Sequence, residues 1–217
     1  MRTKLIAVVA ALALNQAAAQ AEEAYDLIFK TETLSDVSTA SVLVYDRNVV
    51  IAADPDRAAR NTGSVNLTFE PDDMARLTFF QDGKHRGLGQ FPASVGNPVV
   101  MYFVETVLRD VAHQAGGSPF YIRNRIKDAL VQEADIHAAQ FRFDGRALAS
   151  REVTLHPFEN DENRERMKGY GDLALTFTMS EEIPGWYGSL VAKVPGESDE
   201  TPLYTNALTL QAVETTQ

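Results

Sequence analysis

The sequence predicts an α+β fold, in which a curved antiparallel sheet or open β-barrel of about nine to ten strands wraps around a central pair of helices. Apolar and polar residues alternate with a period of two over most of residues 24–91 and again after Ile136, as in antiparallel strands with one buried face. Between these stretches, residues 97–130 carry apolar side chains at helical spacing. A two-sheet sandwich with the helices at one end is the alternative arrangement.

The first alternating segment, residues 24–91, predicts a series of strands joined by turns. Alternation over residues 27–31 indicates a strand near its start. The polar triplet Asp46-Arg47-Asn48 indicates a turn between two apolar runs. Asp82-Gly83 predicts a hairpin, because both residues tolerate positive φ angles.

The helical segment has clear start and stop signals. Asn97-Pro98 combines a capping residue with a proline that suits the first turn of a helix. Gly116-Gly117 predicts its end, since glycine adopts the left-handed conformation at little cost. Ser118-Pro119 then begins a second helix, so the short joint predicts a helical hairpin or a sharp corner.

The remainder of the chain returns to strands. A second hairpin is expected at Asp144-Gly145 and a turn at Pro184-Gly185, with a charged loop over residues 159–168. No change in composition marks a domain boundary. We therefore expect a single domain over residues 22–217, with a frayed tail from Glu214.

The N-terminus has the three parts of a secretory signal peptide. Arg2 and Lys4 precede an apolar run over residues 5–14, and small-x-small triplets follow at residues 17–19 and 19–21. The apolar run is too short to cross a membrane. We expect residues 1–21 to be removed and the mature chain to be periplasmic or secreted, not an integral membrane protein.

Composition excludes several classes of function. The 217 residues include no cysteine, which rules out disulfides, thiol nucleophiles, iron–sulfur clusters and cysteine zinc sites. The net charge of −10 argues against nucleic acid as a partner. No G-x-S-x-G motif is present, and the four histidines show no metal-binding spacing: His85, His113, His137 and His156. We expect no cofactor and no metal.

Two features point to binding. Arg123 and Lys127 share a face of the second predicted helix and would suit an anionic group. Several aromatic residues near turns and helix ends would line an apolar site: Tyr102, Phe103, Tyr121 and Trp186. The leading hypothesis is a non-enzymatic binding or carrier module of the cell envelope for an apolar, lipid-like anionic ligand. The alternatives are a protein–protein adaptor in the envelope and a hydrolase with a dispersed site.

The predicted signal peptide implies a defined N-terminus for the mature chain. Because signal peptidase cuts after a small-x-small triplet, we expect the mature chain to begin at Gln20 or Glu22. N-terminal sequencing of protein from a periplasmic extract measures this directly. Recovery of the chain with Met1 intact from the membrane fraction would contradict the prediction.

Overall fold

A computed structural model of the chain describes residues 22–132, 134–198 and 201–215. The expected signal peptide lies outside these residues. Within them the α+β prediction is confirmed: nine antiparallel strands form one open, curved sheet, and a pair of helices accompanies it. The sheet is not divided into a sandwich.

The described residues contain four α-helices and nine strands. The helices are α1 (22–28), α2 (Pro55–Asn61), α3 (Val99–Ala115) and α4 (Pro119–Ala129). The strands are β1 (Ser41–Ile51), β2 (Gly63–Glu70), β3 (Met74–Gln81), β4 (Lys84–Pro92), β5 (Asp135–Phe143), β6 (Arg146–Leu155), β7 (Ala174–Met179), β8 (Tyr187–Val194) and β9 (Tyr204–Thr215).

The strand order explains why the helices lie where they do. The order is β4-β3-β2-β1-β9-β8-β7-β6-β5, so two meanders are joined where the first strand pairs with the last. That pairing runs from Ser41 opposite Thr215 to Ile51 opposite Tyr204. The two edge strands, β4 and β5, are consecutive in the chain. The segment between them, which holds α3 and α4, must therefore span from one edge of the sheet to the other.

Helix α3 packs its apolar stripe into the core. Val99, Phe103, Val107 and Val111 recur every four residues and are fully buried. The ring of Phe103 meets that of Phe177 on β7 edge-to-face, with the ring centres 5.8 Å apart. Burial of each such side chain contributes about 1.5–3 kcal/mol, so this stripe is a main source of stability.

The strand predicted near Leu27 is wrong, since residues 22–28 form α1. The buried residues here, Ala24 and Ile28, are four apart, which is a helical spacing. A segment this short fits both the strand period and the helical period, and tertiary contacts determine which structure forms. The Trp186 indole donates to the Leu27 carbonyl at 2.9 Å, and the Tyr187 hydroxyl donates to the Ile28 carbonyl at 2.6 Å.

The turn predicted at Asp46-Arg47-Asn48 is also wrong, because β1 runs through it. Asp46 and Asn48 point to solvent, whereas Arg47 is only 1% exposed. The polar triplet thus keeps the strand alternation, with an arginine at an inward position. At the other end of the chain, β9 continues through Glu214, which pairs with Val42, where the sequence predicted a frayed tail.

The predicted hairpins and helix ends are confirmed. Asp82-Gly83 and Asp144-Gly145 each carry two successive positive φ angles and join neighbouring antiparallel strands. Gly116 ends α3 with a φ of 80°, and its amide donates to the Ala112 carbonyl. Proline at the start of α4 follows Ser118 as expected.

The two glycines of the helix joint should respond differently to alanine. Gly116→Ala should lower the free energy of unfolding by about 1–2 kcal/mol, because its φ lies in the left-handed region. At Gly117 the φ angle is not positive, and a Cβ would lie 3.5 Å from Ile122, an ordinary contact. Gly117→Ala is therefore the matched control. Urea unfolding of both variants tests this; equal losses at the two sites would contradict it.

Candidate functional site

Asn97 fixes the N-terminal end of α3 within the fold. It is buried, and its side-chain amide donates to the Tyr45 hydroxyl at 2.9 Å and to the Gly185 carbonyl at 2.8 Å. Its Oδ1 accepts a hydrogen bond from the amide of Val99, the first residue of α3. The N-cap of α3 is Pro98, one residue later than the sequence predicted, because the Pro98 carbonyl accepts the first helical hydrogen bond. The Asn97 side chain still binds the first amide of the helix and ties it to β1 and to the turn before β8.

A large apolar groove opens beside this anchored end. The groove, which we call the helical groove, has a volume of about 720 Å³ and lies between α1, residues 91–98, α3 and α4. Four of its apolar residues are strongly exposed. These are Tyr25 (49%), Val95 (65%), Met101 (55%) and Val131 (69%). Large hydrophobic side chains clustered at one surface cavity are typical of a binding site.

Charged residues frame one side of the helical groove. Glu105 accepts from Arg109 at 2.9 Å and from Arg123 at 3.4 Å, so its charge is compensated. Lys127 is exposed and has no ion pair with any residue in the described part of the chain. The groove therefore presents a cationic group, Lys127, next to the partly engaged Arg123.

Arg123 and Lys127 are the two predicted site residues that line the helical groove. Trp186 lies outside its lining and is only 8% exposed. Its indole donates a hydrogen bond to the Leu27 carbonyl of α1, and the Lys30 ammonium lies 4.2 Å from the centre of its ring. Trp186 thus has a structural role in shaping one wall of the groove.

The other three predicted aromatic residues lie elsewhere. Phe103 is fully buried in the core, and the Tyr102 hydroxyl accepts a hydrogen bond from Arg47 at 2.7 Å. The prediction that this adjacent pair lines an apolar site is wrong for the helical groove, because Phe103 packs in the core and Tyr102 is half-buried against Arg47. The Tyr121 hydroxyl donates to Asp161 and accepts from Asn163, which attaches α4 to the charged loop. The six residues do not share one surface.

The exposed hydrophobic residues of the groove were missed at the level of sequence. Tyr25 lies in α1, where a strand was predicted, so its position relative to α3 could not be inferred. Met101 did carry a signal, because it is an apolar residue off the buried stripe of α3. Val95 and Val131 lie in the connections at the ends of the helical segment, where sequence periodicity gives no orientation.

A buried polar cluster anchors α3 further along its length. The side chain of Asp110 accepts from the Tyr204 hydroxyl at 3.1 Å and from Arg57 at 3.0 Å. Burial and the nearby Asp110 charge raise the pKa of Tyr204 well above its ordinary value, and they raise the pKa of Tyr170 to about 12. Both phenols therefore stay neutral.

The arrangement expected of a hydrolase is not assembled at the helical groove. His137 Nε2 lies 3.1 Å from Glu152, which also accepts from Thr178 at 3.3 Å. Ser189 donates to Thr178 at 3.0 Å. These four side chains form a polar ladder across β5 to β8, outside the groove lining. Among the described residues, no group of three histidine or acidic side chains is placed to hold a metal.

Comparison with known proteins gives no family for the chain: no family model matches it, and no curated protein matches it. Its site is therefore defined by its own geometry. Over the residues that the structure describes, no helix combines the length and apolar character needed to cross a membrane.

Removing the hydroxyls of the two tyrosines in the polar cluster should change the free energy of unfolding differently. Tyr204→Phe should lower the free energy of unfolding by about 1–3 kcal/mol, because it takes a donor from the buried Asp110 carboxylate. Among the residues that the structure describes, the buried Tyr170 hydroxyl has no hydrogen-bond partner, so Tyr170→Phe should be neutral or stabilising by up to about 1 kcal/mol. Urea unfolding at pH 7 compares them. A larger loss for Tyr170→Phe would contradict this assignment.

Proposed function

We propose that this protein is an exported, non-enzymatic binding or carrier protein of the cell envelope, and that the helical groove takes an apolar ligand with an anionic head group. The observation that carries the proposal is the groove itself, with its four exposed hydrophobic residues beside Arg123 and Lys127. The signal peptide predicted from the N-terminal sequence supports an envelope or extracellular location.

The dimensions of the groove suit a small molecule. Its volume of about 720 Å³ falls within the range of roughly 300–1,000 Å³ that is usual for ligand sites. Its apolar walls come from α1, α3 and α4, and the backbone at Gly96 is packed closely beside them. A Cβ at Gly96 would lie 2.8 Å from the Lys30 carbonyl, so this wall is tightly built.

The charges at the groove favour an anionic head group. The chain as a whole carries a net charge of −10, which repels anions in general. Arg123 and Lys127 are two cations at one cavity of this acidic chain, and Glu105, the acid that lines the same cavity, is shared between two arginines. An acyl chain on the apolar wall would bring its carboxylate within the field of both cations.

Decanoate is the probe for the apolar part of the site. Met101→Glu should weaken decanoate binding by at least about tenfold, because it removes apolar contact and adds a like charge. Met101 is exposed and lies in the first turn of α3, where an acidic residue is compatible with helix formation. Isothermal titration calorimetry of the wild type and the variant gives the two dissociation constants.

Val213→Glu is the matched control for this change. Val213 is an exposed apolar residue on β9 outside the groove lining, so the same charge change there should leave the decanoate affinity within about twofold. Equal loss in both variants would contradict the groove as the site. Absence of saturable decanoate binding to the wild type would contradict the carrier proposal and favour a protein partner for the exposed hydrophobic residues.

The contribution of Arg123 and Lys127, the cationic pair, is tested by comparing a charged probe with an uncharged one. Arg123→Gln combined with Lys127→Gln should weaken decanoate binding by about 2- to 30-fold, since two exposed charge contacts are lost. Binding of 1-decanol, which has the same chain length and no charge, should change little. Equal losses for the two probes in the same calorimetric assay would remove the cationic pair from the site.

A further inference from the structure

A second cavity lies on another part of the molecule, between α2 and the β3–β4 hairpin. Its volume is about 540 Å³, and it shares no lining residue with the helical groove. We call it the basic pocket. The residues that give it its character are Arg57, Arg60, Phe79, Lys84, His85 and Arg86.

The charge of the basic pocket is opposite to that of the chain. Four cationic side chains line it against one carboxylate, that of Asp82, in a protein with a net charge of −10. Arg60, Lys84 and Arg86 are exposed and form no ion pair with any residue that the structure describes. Neighbouring like charges without counter-charges are unfavourable, and a bound anion would relieve this repulsion.

Two of the guanidinium groups are held in place by the fold. Arg57 directs Nε and Nη2 to the same oxygen of the buried Asp110, at 3.3 and 3.0 Å, which leaves its Nη1 unused in that contact. The guanidinium of Arg86 lies 5.0 Å from the centre of the Phe79 ring. A site whose donors are oriented before the ligand arrives loses less conformational entropy on binding.

A fourth guanidinium group, beyond the three that line the pocket, lies behind the pocket wall. Arg47 is 1% exposed, and its guanidinium carbon lies 6.0 Å from the centre of the same Phe79 ring. Its Nη1 donates to Tyr102, while its Nε has no hydrogen-bond partner within the described part of the chain. Because a buried charge is screened less than an exposed one, Arg47 adds to the positive potential at the pocket.

From this arrangement we infer that the basic pocket binds a phosphate-type oxyanion, either free or carried on a lipid head group. Guanidinium groups present paired N–H donors that match phosphate oxygens, and several cations around one cavity favour an anionic group. The inference is independent of the proposed function, because the two cavities share no residue.

Inorganic phosphate and pyrophosphate are the probes, measured by isothermal titration calorimetry with the full mature chain at low ionic strength. Arg60→Gln combined with Arg86→Gln should weaken pyrophosphate binding by at least about tenfold, since each change removes a charged donor. Both residues are exposed, so thermal unfolding of the variant should match the wild type. Arg142→Gln combined with Arg146→Gln is the control: it removes the same charge from two exposed arginines of the β5–β6 hairpin and should change the affinity less than twofold.

Vesicles distinguish the two sources of the anion. If the pocket binds a lipid head group, the wild type should float with phosphatidylglycerol vesicles but not with phosphatidylcholine vesicles. This flotation should be lost in Arg60→Gln/Arg86→Gln and retained in the control. Binding of soluble pyrophosphate without flotation assigns it to a free anion. Failure of both phosphate probes and of both vesicles to bind the wild type would overturn the inference. Equal loss in the variant and the control would overturn it as well, because binding would then follow total charge.

Discussion

The hydrogen bonds of Asn97 are the interaction on which the arrangement of this protein depends. One buried side chain accepts from the first amide of α3 and donates to Tyr45 on β1 and to the carbonyl of Gly185 in the turn before β8. That turn leads into Trp186 and Tyr187, whose polar atoms bind the carbonyls of α1. The open sheet, the long helix and the N-terminal helix are therefore positioned through one buried amide. Loss of any one contact would leave a polar group unsatisfied in the core.

Asp110, the second residue that fixes α3 in the fold, connects this helix to the basic pocket, while α3 also lines the helical groove. Near its start, α3 supplies Met101 and Glu105 to the helical groove. About two turns further on, Asp110 binds Arg57, which lines the basic pocket. A helix held at both points keeps an apolar cavity and a basic cavity fixed relative to the sheet. The topology requires such a helix, because the chain must cross from edge strand β4 to edge strand β5.

Much of the fold could be predicted from the sequence, and the reasons are local. Asp82-Gly83, Asp144-Gly145 and Gly116 have backbone conformations that few other residues adopt, so their positions marked turns and a helix end correctly. The inward position of Arg47 in β1 could not be predicted from the sequence, because it depends on contacts with the distant Tyr102 and Phe79. Arg123 and Lys127 were found because they share a helix face, whereas the basic pocket joins residues from α2 and a hairpin that only the folded chain brings together. The signal-peptide prediction falls outside the described residues and stays a prediction.

We propose that an apolar anion occupies the helical groove, and amide chemical-shift mapping is the most direct test of that binding. A titration of ¹⁵N-labelled protein comprising residues 22–217 with decanoate, followed by two-dimensional NMR, reports each backbone site separately. We expect the largest shifts on α1, on residues 95–105 and on residues 123–131, with saturation at a single dissociation constant. Saturable shifts confined to other surfaces, or no shifts at all in these three segments, would contradict it.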